Sequence, residues 1–205
     1  MDAIIFDLDG TLWDSRKSVA GAWTAVVADA QCARKRVTEE DLSGMMGLQI
    51  QQIADILFED LDSAERTELM RVCCEREHAE ILESGGVLYD KLEETLSELK
   101  KHYRLFIVSN CQEGYIESFY AYHGTEKYFE DFENPGRTGL SKGENIKLLM
   151  ERNKLETPVY VGDTMGDMEA ARFAGIPFVY AAYGFGEVSD YAHKIEKIEE
   201  LMKIF

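Results

Sequence analysis

An α/β fold, a Rossmann-like parallel sheet core with an inserted all-helical cap, is predicted by three features of this 205-residue chain. Short continuous apolar runs recur, each followed by a polar turn and a helical pattern, as expected for strands buried on both faces. One such run stands alone near the amino terminus. Between it and the others lies a long stretch of helical periodicity without a strand signal. The first strand must join the later ones in one sheet, so the helices are an insertion. Residues 1–14 and 87–205 are expected to form the core, and residues 15–86 the cap.

Ala3-Ile4-Ile5-Phe6 is the first strand. Val19, Trp23, Val26, Val27 and Ala30 then recur at helical spacing. Thr38 with Asp41 is placed to cap a short helix before Leu42, Met45 and Met46. Ile50, Ile53, Ala54, Leu57 and Phe58 read as a third helix and residues 63–84 as a longer fourth, which Gly85-Gly86 breaks. From there strands and helices alternate. Asp90 and Glu93 have capping-box spacing ahead of a helix carrying Leu92, Leu96 and Leu99. Leu105–Val108 is the second strand, followed by a helix around 112–122 and a loop containing Pro135-Gly136. Ser141 and Glu144 cap a helix with Ile146, Leu148, Leu149 and Met150. Val159–Val161 is the third strand, 165–174 a helix closed by Gly175, and Phe178–Tyr180 the fourth strand. Right-handed crossovers join such units into a parallel sheet.

Composition narrows the partners. Hydrophobic content of 45% and aromatic content of 11% support a full core. A formal net charge of −17 argues against nucleic acid or an anionic membrane as partner. It also opposes an anionic substrate, which must be drawn in by a metal and a few cations, although distant charges are screened. Cys32, Cys73, Cys74 and Cys111 lack metal-ligand spacing and read as reduced thiols. Asp2, Asp7 and Asp9 interrupt the only early apolar run, so no signal peptide is read there. A soluble, cytoplasmic protein, a monomer by default, is expected.

In a parallel sheet, functional groups collect beyond the carboxyl ends of the strands. Asp7-Leu8-Asp9-Gly10-Thr11-Leu12 follows the first strand and places two carboxylates one residue apart. They repel unless a cation sits between them, and oxygen ligands of this kind suit Mg²⁺. A magnesium-dependent reaction on an anionic substrate is the first inference. Ser109-Asn110 follows the second strand and Lys142 opens a helix. Gly162-Asp163-Thr164-Met165-Gly166-Asp167 follows the third strand. Taken singly each has a structural reading: Ser109-Asn110 as a helix cap, Lys142 as a solvated lysine, Asp167 as the capping partner of Thr164. Asp163 is harder to dismiss, since its strand-exit position is equivalent to that of Asp7. Their order on one sheet edge is what carries the signal.

In these four segments (DLDGTL, VSN, SKGE and VGDTMGD) the chain resembles the haloacid dehalogenase-like superfamily along its whole length. The helical insertion resembles the small cap of its phosphoglycolate phosphatase and β-phosphoglucomutase branch, as do Gly85-Gly86-Val87, Ala170-Ala171 with Gly175, and Tyr183-Gly184-Phe185-Gly186. The resemblance implies that Asp7 is a nucleophile forming an aspartyl-phosphate, and that Asp9 acts as acid and then base. It implies that Asp7, the carbonyl of Asp9 and Asp163 hold Mg²⁺, with Asp167 supporting the metal shell or orienting Lys142. Ser109 and the amide of Asn110 would bind phosphoryl oxygens, and Lys142 would balance charge. Phosphoryl transfer asks mainly for such alignment and positive charge.

Within the superfamily, dehalogenases lack the second aspartate that Asp9 supplies here. Mutase-like members carry a histidine about where this chain has Val19, and often replace the threonine found at Thr11. The resemblance therefore implies a phosphoglycolate phosphatase-like enzyme acting on a small phosphorylated metabolite, with a β-phosphoglucomutase-like transferase or a non-catalytic metabolite sensor as alternatives. Gly44-Met45-Met46-Gly47-Leu48 resembles the loop that closes over the substrate, where Gly44 and Gly47 would allow close backbone approach; a helix end with flexible glycines is the plainer reading. Arg34-Lys35-Arg36, the densest basic run, reads as a solvated loop, with contact to an anionic substrate as the alternative; the four histidines read as chemically idle, and Trp13 and Trp23 as packing residues. Residues 14–18 and 84–89 are expected hinges.

Overall fold

A computed structural model describes all residues 1–205. Strand β1 (Ala3–Phe6) is fully buried and ends at Asp7. After a tight turn the two-residue strand β2 (Trp13–Asp14) leads into helix α1 (Arg16–Asp29). Helices α2 (Glu39–Ser43), α3 (Ile50–Leu57) and α4 (Ser63–Ser84) complete the insertion. The Thr38–Asp41 capping box forms as expected, each side chain bonding the other's backbone amide. The long helix spans the residues its periodicity marks and stops at Gly85, whose φ of 63° with ψ of −158° suits glycine alone.

The chain returns through strand β3 (Val87–Leu88), antiparallel to β2, with Trp13 opposite Leu88 and Asp14 opposite Val87. Then follow α5 (Leu92–Leu99), β4 (Arg104–Val108), α6 (Tyr115–His123), β5 (Asp131–Glu133) and α7 (Pro135–Thr138). The remainder is α8 (Lys142–Asn153), β6 (Val159–Gly162), α9 (Met165–Ala174), β7 (Phe178–Ala181), β8 (His193–Ile195) and α10 (Leu201–Ile204). The sheet has six strands in the order β5-β4-β1-β6-β7-β8, every pair parallel. β1 lies between β4 and β6, so the exits of these three strands meet at one edge.

Alternation sorts the strand side chains onto two faces. Ile4 and Phe6 join Ile107, Val161 and the cap residues in one cluster of 40 buried residues. Ala3 and Ile5 pack on the opposite face with Ile146, Leu149 and Tyr160 in a cluster of 14. The larger cluster runs without a break into Trp23, Phe58 and Ile81, so cap and core share one apolar body in this arrangement.

Several expectations need correction. β5 and β8 extend the sheet beyond the four strands read from apolar runs; each is a three-residue edge strand, Asp131–Glu133 and His193–Ile195, with no continuous apolar run to announce it. Asp90 and Glu93 do not box: the cap position of α5 is Lys91, at φ 59°, with no side-chain bond. Glu93 instead accepts from the Tyr128 hydroxyl at 3.0 Å. The helix placed at 112–122 begins only at Tyr115, after Gly114. Pro135-Gly136 opens the short helix α7 rather than a plain loop, because Asn134 caps it by accepting from the Arg137 amide at 3.0 Å.

Candidate active site at the sheet edge

Asp7 leaves β1 buried, its backbone amide donating to Val161 O at 2.8 Å. The next strand-exit carboxylate, Asp163, and Asp167 on the first turn of α9 approach it closely. One oxygen from each of the three lies within 4.8 Å of the others. Lys142, buried at the start of α8, donates to Asp7 Oδ1 at 2.9 Å and to Asp167 Oδ1 at 2.6 Å. It is not a solvated lysine.

Asp167 does both jobs that its position allowed. Oδ2 takes the amides of Asp163 at 3.1 Å and Thr164 at 2.9 Å, completing the capping box, while Oδ1 faces Lys142. Asp163 is held by the Phe185 amide, which donates to Oδ2 at 2.7 Å, and Tyr183-Gly184-Phe185-Gly186 folds around it. Gly184 leaves no room for a side chain there: a Cβ would lie 2.3 Å from that of Asp163. Burial, then the charges of Asp167 and Asp7, push the Asp163 carboxyl well above its ordinary range. Burial and Asp167 likewise raise Asp7 to about 7 against the pull of Lys142. Three crowded carboxylates with one ammonium want further positive charge.

Asp9 turns away from this cluster. Its Oδ1 accepts from Ser15 Oγ and from the Tyr115 hydroxyl at 3.0 Å, and burial raises it to about 6. Ser109 is buried and lies beside Asp7 in the same crevice, together with Asn110. Neither caps a helix, since α6 begins at Tyr115. Asn110 Nδ2 donates to Gly47 O at 2.8 Å, tying the cap loop to the core. The backbone amides of Leu8, Asp9 and Asn110 donate to no group in the chain. They are donors available to an anion at the strand ends.

In this arrangement the crevice is tight, with a cavity of about 60 Å³, below the range of small-molecule sites, so a substrate needs the two sides to part. Asp7, Asp9, Ser109, Asn110 and Tyr115 line it from the core, and Met45, Gly47, Leu48 and Ile53 from the cap. Gly47, at φ 83°, reaches this wall; Gly44 is an exposed helix cap of α2 and does not. Arg34 pairs with Asp41 at 3.2 Å and is likewise not part of the lining. Trp13 packs edge-on to Tyr115 and Phe119. Three residues escaped sequence reasoning: Tyr115, which holds Asp9 together with Ser15 of the expected hinge, and Glu77 with Gln112, which face the crevice. Glu77 had a signal, since it continues the buried series Met70, Cys73, Glu77, Ile81 at helical spacing.

A strand-end carboxylate bonded to a buried lysine, with a second carboxylate two residues on and free amides beside both, is the equipment of a phosphoric monoester hydrolase. The chain belongs to the haloacid dehalogenase-like hydrolases, whose family model matches residues 4–181. It is similar to the phosphoglycolate phosphatase of Salmonella typhimurium, with 26% identity over 211 residues covering 89% of this chain and 81% of that protein. The phosphoglycolate phosphatase of Escherichia coli is 24% identical over 221 residues, covering 91% and 84%. In fold it is similar to a haloacid dehalogenase-like family hydrolase from Streptococcus pneumoniae, at TM-score 0.85 and 22% identity, covering 100% of this chain and 98% of that one. A structure described as a predicted phosphoglycolate phosphatase from Haemophilus somnus has TM-score 0.84 at 23% identity, covering 100% and 97%. No helix is long and apolar enough to cross a membrane.

Proposed function

We propose that this chain is a Mg²⁺-dependent phosphatase that hydrolyses a small phosphorylated metabolite through an aspartyl-phosphate on Asp7. The observation that carries the reading is the Asp7–Lys142–Asp167 ion-pair chain, buried beside Asp163 at the exits of β1 and β6. The donor set suits a hard divalent cation: three clustered carboxylates, two of them pushed toward protonation, and no nitrogen or sulfur ligand among them. Asp7, the carbonyl of Asp9 and Asp163 would hold Mg²⁺, which supplies positive charge against the phosphate dianion. The oxygens of Asp167 are already committed to Lys142 and to backbone amides, so its part is to position Lys142.

Lys142 occupies Asp7 Oδ1 and so leaves the other oxygen to attack phosphorus. Ser109 and the free amides of Leu8 and Asn110 would receive phosphoryl oxygens. Asp9, raised to about 6, carries a proton often enough to pass it to the departing alkoxide, and then takes one from the water that cleaves the aspartyl-phosphate. Its tether to Ser15, at the foot of the cap, places the acid where residues 14–18 and 84–89 would bend as residues 15–86 open and close over residues 1–14 and 87–205. Release of inorganic phosphate from p-nitrophenyl phosphate should require Mg²⁺ and fall by about 1,000-fold or more in Asp7→Asn. Equal turnover by that variant would remove the nucleophile from the scheme. Bisphosphate-primed interconversion of hexose phosphates would replace hydrolysis with the mutase reading.

A further inference from the structure

The cap side of the crevice is apolar apart from one ionisable residue. Val19, Leu42, Met45, Leu48 and Ile53 face it, and Glu77 is the sole charged side chain that the cap contributes. Glu77 is 3% exposed. Its Oε2 accepts from Trp23 Nε1 at 2.5 Å and its Oε1 from Gln112 Nε2 at 2.9 Å, so cap and core donors fix it in place. A second acceptor belongs to a lining residue: Asn110 Oδ1 is buried with no partner, while its Nδ2 donates to Gly47 O.

No lysine or arginine lines the crevice. Arg16 is spent on both oxygens of Asp14 and on Ser43 Oγ, Arg34 on Asp41, and Lys142 on Asp7 and Asp167. A hydroxyl satisfies an acceptor and fits such a wall. A carboxylate brings a second negative charge into apolar surroundings without a counter-ion. Burial raises Glu77 to about 8, so near neutrality it can also donate one hydrogen bond. Ionised or neutral, it pairs with a hydroxyl; in neither form does it offer a carboxylate opposite charge.

We propose that Glu77, with Asn110 Oδ1, makes this site selective for phosphate monoesters of uncharged, hydroxylated alcohols and selects against leaving groups that carry a carboxylate. This rests on the phosphatase reading above and narrows it. It also separates the chain from the relatives named as phosphoglycolate phosphatases, since glycolate is a carboxylate.

The test is a comparison of kcat/KM with Mg²⁺ across glycerol phosphate, a pentose phosphate and a hexose phosphate on one side, and phosphoglycolate and phosphoglycerate on the other. The best uncharged ester should exceed both carboxylates by at least about ten-fold. Equal or better turnover of phosphoglycolate would overturn the selectivity while leaving the phosphatase intact. No turnover of any ester, with Asp7→Asn indistinguishable from the native protein, would instead remove the phosphatase reading. Two variants locate the effect, both read as the ratio of the two kcat/KM values, which does not depend on the folded fraction. Glu77→Gln should lower the ratio by about five-fold or more, chiefly through KM for the hydroxylated ester. Leu48→Lys, at a half-buried lining position, supplies the missing cation and should move the ratio toward phosphoglycolate by about ten-fold. Unchanged ratios in both variants would clear the cap wall of any part in selection.

Discussion

Lys142 is the single cation among three buried carboxylates, and its removal should be felt twice. Lys142→Met leaves Asp7 and Asp167 uncompensated, which should cost about 3–5 kcal/mol in metal-free protein, with part of the loss restored by Mg²⁺. Phosphate release should fall by about 100-fold or more, as expected when one charge-stabilising donor is lost. A melting transition within 1 °C of the native protein, measured with EDTA, would contradict the pairing. Glu77 makes a separate prediction about pH. Its folded-state value, about 8, lies above the ordinary 4.5, so the native protein binds more protons than the unfolded chain between those limits. Stability from this group therefore falls as pH rises from about 4.5 to about 8. Melting curves across that window should show a flatter slope for Glu77→Gln than for the native protein; parallel slopes would mean that Glu77 is ionised in the fold. In the sequence Glu77 looks like one more charge on a helix rich in them. Only its register with Met70, Cys73 and Ile81 sets it apart.

Elements differ in how plainly they announce themselves. β1, β4, β6 and β7 are buried on both faces and show as apolar runs. α4, α8 and α9 show through their capping pairs or closing glycines, and their bounds follow. β2 and β3 are two residues each, held by pairing with one another, and no local pattern could mark them. The approach of Asp7 and Asp163 was legible because both leave neighbouring strands, whereas Lys142 and Asp167, each in the first turn of a helix, were placed only by the ordered set of motifs. The turn of Asp9 toward Ser15 and Tyr115 was not legible, because it depends on where α1 and α6 pack. The β1–β2 turn carries its own prediction. Gly10 has φ 81°, and a Cβ there would lie 2.2 Å from Asp163 Oδ2. Gly10→Ala should displace Asp163, raising the Mg²⁺ concentration needed for half-maximal activity by about ten-fold while helical circular dichroism persists. An unaltered Mg²⁺ dependence would show that Asp163 does not touch the ion.

At the scale of the whole molecule, a net charge of −17 surrounds a site proposed to take an anion. Long-range repulsion then slows capture, and salt should relieve it. Raising ionic strength from about 10 mM to about 150 mM shortens the screening length from about 30 Å to about 8 Å, so KM for a phosphate ester should fall at constant free Mg²⁺. A rise in KM over that range would indicate a cationic funnel that the surface does not display. Apolar periodicity and strand order place the run of helices between the first strand and the rest, but not the single hydrophobic cluster that those helices share with the sheet, which depends on how they dock. The chain leaves for the helices at Trp13–Asp14 and comes back at Val87–Leu88, immediately alongside. Departure and return through one doorway make the insert a cassette. The register of β1, β4 and β6 is set by their own pairing, so a change of length among the helices leaves the strands that carry the reacting groups in step.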